Sequence, residues 1–184
     1  MAGDADAVTA PGSDFRVRLA SVGEAPAIAE IGVRAWQAAY RGLMPGGFLA
    51  GLSAAAREIA WRSLLESDEA GAAPTWVAEL GNRTVGFAAS GPPRDGDVPL
   101  PAAEVYAVYV LPEAWRLGAG RALLEAATNH WLVQGATTLV LWVLEANAPG
   151  RAFYEAMGWH ADGASQVVDL DGFTAAEIRY RLGP

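Results

Sequence analysis

At 184 residues, with 52% hydrophobic and 18% charged, the chain reads as a single globular domain with a sizeable core and not as a disordered one. It has no cysteine, and its 13 basic residues are all arginine. That composition excludes a disulfide framework, a thiolate nucleophile, cysteine-ligated zinc, Schiff-base chemistry and the lysine-dependent phosphate loop. A net charge of −8 opposes extended contact with a phosphate backbone and modestly favours cationic small molecules, so nucleic acid is not an expected partner.

Residues 1–14 are small and acidic with Pro and Gly, and read as a flexible tail ahead of one domain over 15–184. Phe15-Arg16-Val17-Arg18-Leu19 alternates with the period of a half-buried strand, and Ser21 offers a helix cap near Glu24. The helix that follows places Ile28, Ile31 and Ala35 on one stripe and Trp36 and Tyr40 four residues apart, ending near Gly42. A second helix is expected from about Ser53 to Leu65. Trp76 to Leu80, the Gly81-Asn82 turn and Thr84 to Ala89 form a β-hairpin, followed by a Pro/Gly/Asp loop from Gly91 to Pro101. Glu104 to Leu111 is the next strand. It leads through Gly118-Ala119-Gly120 into a helix with Leu123, Ala127 and Trp131 on one face, which Gly135 stops. Thr138 to Leu144 is apolar throughout, as expected of a strand covered on both faces. A short helix over Ala148 to Met157 and two strands, Gln166 to Leu170 and Ala175 to Leu182 joined at Asp171-Gly172, complete the chain. The order is that of a mixed α/β domain with a parallel strand pair around the glycine turn.

Only His130 and His160 supply imidazoles, and neither a His-Glu-x-x-His nor a Gly-x-Ser-x-Gly pattern occurs, so no metal site or hydrolase triad is expected. Both histidines, and the loop carboxylates Asp95 and Asp97, read as solvated surface groups. The acidic start of the chain lacks a secretory n-region, and the longest stretch without formal charge, Ala126 to Leu144, is broken by polar residues. A cytoplasmic protein with no membrane partner is therefore expected.

A strand, a glycine turn and a helix place unpaired helix amides where they can face a pyrophosphate. Taken alone the Gly-x-Gly fits any tight turn, and Leu123 stands where a dinucleotide fingerprint needs its third glycine. The wider segment is more informative. Tyr109-Val110-Leu111-Pro112-Glu113-Ala114-Trp115-Arg116-Leu117-Gly118-Ala119-Gly120-Arg121 is similar to the pyrophosphate-binding motif of the GNAT superfamily of acyl-CoA-dependent N-acyltransferases, a strand ending in V-x-P and then [Q/R]-x-x-G-x-[G/A], with Trp115 in place of Gln or Arg. Asn147-Ala148-Pro149-Gly150-Arg151-Ala152-Phe153-Tyr154-Glu155-Ala156-Met157-Gly158-Trp159 resembles a second family motif, N-x-x-A-R-x-F-Y-x-x-x-G-F, with Gly150 for Ala and Trp159 for Phe. The resemblance spans roughly residues 15 to 182.

This resemblance implies a mostly antiparallel central sheet flanked by helices, with a parallel pair splayed at the acyl-CoA site. It implies acetyl-CoA as co-substrate, no metal, and direct transfer to a primary amine of a small molecule or peptide, with a homodimer possible. A non-catalytic acyl-CoA sensor, another acyl group, or a hydroxyl acceptor are the alternatives. The cofactor-binding residues it implies are Val108, Tyr109 and Val110 on the strand, Arg116, Leu117, Gly118, Ala119, Gly120 and Arg121 in the cradle, and Asn147 and Phe153 on the second motif. Asn147 also fits as the helix N-cap. Glu104, read as sharing a face with Tyr106, Val108 and Val110, is the implied general base, or else a rim carboxylate. Tyr154 is the implied acid for the leaving thiolate, or else a packing residue beside Phe153, and the Val110 amide is the implied oxyanion donor. Trp36, Tyr40 and Tyr106 are candidates for the acceptor pocket, with core packing as the alternative.

Overall fold

The computed structural model describes residues 8–9, 15–67, 73–170 and 172–183. Most of the expected tail, and Asp171 of the last expected turn, lie outside the described residues. The backbone of 8–9, expected to belong to that tail, forms strand β1 (Val8–Thr9), which pairs with Val17 and Arg16.

Strand β2 (Phe15–Leu19) buries Phe15 and Val17 and leaves Arg16 and Arg18 half-buried on the alternate positions, Arg18 paired with Glu24 and Glu79. A 3-10 turn, Val22–Glu24, leads into α1 (Ala25–Ala39), and the Glu24 carboxylate accepts from the Ser21 amide at 2.7 Å. The buried stripe of α1 carries Ile28, Ile31 and Ala35. A short helix, α2 (Gly46–Gly51), forms between the two expected helices, where no element is expected; it buries Leu49 against Tyr40 and Met44. Helix α3 (Ala54–Glu66) is capped by Ser53, whose hydroxyl accepts from Ala56 at 3.2 Å.

The hairpin joins β3 (Thr75–Leu80) to β4 (Arg83–Gly91). Strand β5 (Ala102–Val110) is followed by a 3-10 turn at Pro112–Ala114 and by α4 (Ala119–Val133), whose fully buried Leu123 and Leu124 anchor it to the sheet. Each such leucine contributes about 1.5–3 kcal/mol relative to exposure. Strand β6 (Thr138–Leu144) is buried along almost its whole length. Helix α5 (Ala148–Ala156), β7 (His160–Leu170) and β8 (Phe173–Leu182) end the chain, with β7 starting earlier than its expected Gln166. No helix among the described residues is long and apolar enough to cross a membrane.

The eight strands among the described residues belong to one sheet, in the order β1-β2-β3-β4-β5-β6-β8-β7. Every pairing is antiparallel except β5 with β6. Helices α1 and α4 cover opposite faces: Gly32 of α1 stands against the Phe87 ring, while a Cβ on the adjacent Gly86 would meet Leu123 of α4 at 2.9 Å. Gly86 is thus a close-approach site, where the Leu123 side chain of α4 and the Tyr109 carbonyl of β5 leave no room for a Cβ.

A β-bulge changes which face the start of β5 presents. Ala89 pairs with Ala107 but Ser90 pairs with Val105, so Tyr106 is an extra residue and the two-residue alternation is interrupted. Ser90 turns toward α4, where Trp131 donates to it at 2.7 Å. Glu104, opposite Gly91, therefore faces the α1 side together with Tyr106 and Tyr109, not with Val108 and Val110 as an unbroken period would have it.

Candidate active site

The parallel ladder between β5 and β6 runs only from Ala102↔Thr138 to Val105↔Leu141. Beyond it the strands part: Trp142, Val143 and Leu144 remain paired with β8, while Ala107 to Val110 remain paired with β4. The Leu111 amide donates to Val85 of β4 at 2.8 Å. Alternation along the strand therefore turns the amides of Val110 and Val108 the other way, into the gap.

At the far end of the gap the chain enters α4. Arg116 has φ 61° and Gly118 φ 99°, a left-handed pair of kinks, the second of which needs a glycine. The first helical bond of α4 runs from the Ala122 amide to Gly118 at 3.0 Å, so the amides of Ala119, Gly120 and Arg121 precede it and carry the positive end of the helix dipole. Arg116 and Leu117 are exposed beside them. The hydrogen of Gly120 points at Val110 and at the Phe153 ring, where a Cβ would make ordinary contact. The start of α4 therefore stands beside Phe153 of α5 with room for a methyl group between them. Asn147 caps α5, its Oδ1 accepting from the Gly150 amide at 3.1 Å.

On the α1 side the gap opens into a cleft of about 500 Å³. Trp36 and Tyr40 line it from α1, Tyr106 and Tyr109 from β5, Trp142 from β6 and Tyr154 from α5. Trp36 and Tyr40 meet edge to face at 5.1 Å, and Tyr40 is in hydroxyl contact with Tyr109. Burial pushes the phenols of Tyr40, Tyr109 and Tyr154 up from their ordinary range, and Tyr109 adds to the effect on Tyr154. All three are protonated at neutral pH.

A splayed parallel pair, helix amides at one end and a phenol-lined cleft at the other form the frame in which the comparisons with known proteins fall. The family described as acetyltransferase (GNAT) matches residues 34–159. An uncharacterised N-acetyltransferase of Bacillus subtilis, YuaI, is 30% identical over 171 residues, covering 90% of this chain and 88% of that one. The chain belongs to the acetyltransferase (GNAT) family. Among solved structures, PaiA N-acetyltransferase from Thermoplasma acidophilum in complex with coenzyme A superposes with a TM-score of 0.70 at 18% identity, covering 92% of this chain and 99% of that one. The YncA acetyltransferase of Salmonella typhimurium, with acetyl-CoA as its cofactor, gives 0.68 at 21% identity over 93% and 94%.

Within this GNAT fold the residues singled out from sequence separate into two groups. Val108, Val110, Gly120, Phe153 and Tyr154 stand along the gap, with Gly118 at the N-cap and Ala119 and Arg121 in the first turn of α4 at its end. Glu104 does not present a free carboxylate to it: the side chain is fully buried, and its oxygens accept from the Arg94 amide at 2.9 Å, from Arg94 Nε at 3.0 Å and from Arg94 Nη2. It is neither an exposed rim group nor an unpaired base. Asp95 and Asp97, expected to be merely solvated, are clasped by Arg179 at 3.1 and 2.7 Å, and Asp95 also accepts from Trp142 Nε1 at 2.9 Å. His130 lies between Trp76 and Trp131, with ring centroids 5.3 and 5.2 Å away.

Two contributors escaped the sequence reading. Trp115, which stands where the family motif has Gln or Arg, donates its indole N–H to the Val110 carbonyl at 2.7 Å and so ties the cradle to the end of β5. Glu177 lines the cleft from β8, its Oε2 accepting from Gln166 at 2.9 Å. In sequence it is one acidic residue between Ala176 and Ile178, in a strand that also carries Arg179 and Arg181.

Proposed function

We propose that this chain transfers an acetyl group from acetyl-CoA to a primary amine within a ternary complex. The observation that carries this reading is the parting of β5 and β6 beyond Val105↔Leu141, with helix amides at one end of the gap and Tyr154 at the other. Acetyl-CoA, when bound, supplies a thioester whose carbonyl carbon accepts the amine, so that a nitrogen–carbon bond forms and the carbon–sulfur bond breaks. The amides of Ala119 to Arg121 suit its pyrophosphate, and those of Val108 and Val110 suit its pantetheine arm and the developing oxyanion.

Tyr154 hands its phenolic proton to the departing sulfur. Its pKa is raised by burial and lies above the value of about 8.5 for a free thiol, so transfer is uphill even to the full thiolate, and the help lies in a hydrogen bond that strengthens as the sulfur gains charge. The amine must also lose a proton. Because Glu104 is buried and engaged by Arg94, we assign it the holding of Arg94 in the cleft wall, and give the proton to Glu177.

A panel of amines offered with acetyl-CoA, following free thiol, tests the function. Thiol release that needs both substrates is expected; acetyl-CoA binding without release for any amine would mark a sensor instead. Tyr154→Phe keeps the packing beside Phe153 and Trp159 and should lower kcat by about 10²-fold, the low end of general-acid effects. A donor thioester with a more acidic thiol should restore part of that rate. An equal response of wild type and variant to leaving-group acidity would make Tyr154 a packing residue.

A further inference from the structure

The walls of the cleft carry formal charges at Arg94, Asp95 and Glu177. Two of them are met within the protein, since Arg94 is bound to Glu104 and Asp95 accepts from Arg179 at 3.1 Å. Glu177 is different. Its carboxylate accepts from Gln166 Nε2, a neutral donor, and among the described residues no cation pairs with it. It sits on β8 across from Leu144 and Gln166, beside the end of β6 that diverges from β5. A carboxylate with no ion pair, which feels Arg94 only through space, at the edge of an aromatic cleft offers an ammonium an ionic partner beside apolar ring surface. The size of the cleft, about 500 Å³, lies in the range of small-molecule sites and is too small for a folded partner.

We infer that the acceptor is a small monocationic amine with an apolar body, whose ammonium docks on Glu177 while the body lies against Trp36, Tyr40 and Trp142. Among the described residues Glu177 is the one carboxylate of the cleft wall that no cation pairs with, so the wall offers one ammonium position. On the wall formed by the 92–98 loop stands Arg94, its guanidinium 4.9 Å from the Tyr106 ring centroid and its side chain 64% exposed. A second ammonium on the acceptor would meet that like charge. Gln166 holds one oxygen of Glu177 and leaves the other for the ligand, so the carboxylate is oriented before the amine arrives. This inference names the acceptor of the proposed transferase, and rests on that reading only for the chemistry that follows docking.

Calorimetric titration without acetyl-CoA separates docking from reaction. Phenethylamine serves as the monocation, 2-phenylethanol as its neutral counterpart and putrescine as the dication. Wild type should bind phenethylamine more tightly than either of the other two. Glu177→Gln should weaken phenethylamine by about tenfold or more, the factor carried by a hydrogen bond between charged groups, and leave 2-phenylethanol unchanged. Equal phenethylamine affinity in the two proteins, or tighter binding of putrescine, overturns the inference. If Glu177→Gln fails to fold by circular dichroism, wild type alone decides, because equal affinity for the amine and the alcohol also overturns it. Docking that depends on Glu177 with no thiol release from any amine would sink the transferase reading and leave the cation site standing. Transfer to phenethylamine with unchanged kcat/KM in Glu177→Gln would do the reverse.

Discussion

At the β5–α4 turn the groups that face the gap are main-chain amides, positioned by a few consecutive residues: Trp115 tied back to Val110, Arg116 and Gly118 with positive φ, and the first turn of α4. In the cleft on the α1 side the polar groups are side chains, and partners far apart in sequence hold them. Arg179 reaches Asp97 and Asp95 across 82 and 84 residues, and Glu104 fixes Arg94 across the whole 94–104 loop. Under the proposed function the contrast has a physical reason: a pyrophosphate is one invariant anion that backbone can satisfy, whereas an acceptor is recognised by the identity of the side chains around it.

The largest test of that contrast is Arg179→Met. Arg179 is almost fully buried and joins Asp95, Asp97 and the buried Asp162; removing it leaves Asp162 with only the longer contact to Arg181 Nε at 3.6 Å. A loss of about 3 kcal/mol is expected, the low end for breaking a buried ion pair because Asp97 is largely exposed, and is read by urea denaturation. In the folded fraction KM for the amine should rise while CoA affinity holds. A matching loss of CoA affinity would show that the two ends are one unit.

Gly118→Ala attacks the other end. An L-residue forced to φ 99° costs about 1–2 kcal/mol, and CoA affinity should fall with stability while amine docking is preserved. Gly120→Ala is the matched control, because a Cβ there makes only ordinary contacts.

Acid gives a smaller and reversible version of the Arg179 variant. The Arg179 hydrogen bond holds Asp97 below the ordinary carboxylate range, and although burial pushes Asp162 up, the Ala164 amide and Arg179 bring it below that range as well. A depressed folded-state pKa stabilises above the unfolded value, near 3.8, and that contribution disappears as pH falls through the folded value. Amide exchange in the 92–98 loop should therefore accelerate below about pH 4 before the β5–α4 turn loosens. Simultaneous loosening would contradict the separation.

The smallest effect is expected at Gly150→Ala. The Asn147 side chain occupies the space of the missing Cβ, so alanine displaces the cap, which is worth about 1 kcal/mol, while improving helix propensity by a similar amount. Thermal denaturation should move little, and a large shift in either direction would show that the two changes are not coupled.

The same contrast explains what could be read from sequence. The cradle and the second motif were legible because each is a short run of consecutive residues, and the strands around them carry clear periodicity. Glu104 was placed on the wrong face because one extra residue, Tyr106, inverts the alternation, and bulges leave no mark in composition. Asp95 and Asp97 look like loop solvation until Arg179 is brought from the far side of the sheet. Glu177 becomes visible as a site residue only when the β6–β8–β7 register places it beside the gap. Helix α2 was missed because its glycines and proline read as breakers, whereas burial of Leu49 against Tyr40 and Met44 outweighs their weak propensity.

Amide hydrogen exchange with and without CoA tests the central claim most directly, that the gap between β5 and β6 receives the cofactor through main-chain groups. Slowed exchange is predicted at Val108 and Val110 and across Ala119 to Arg121, with the 92–98 loop unaffected. No slowing at those amides when CoA is bound, or protection confined to the loop, would contradict it.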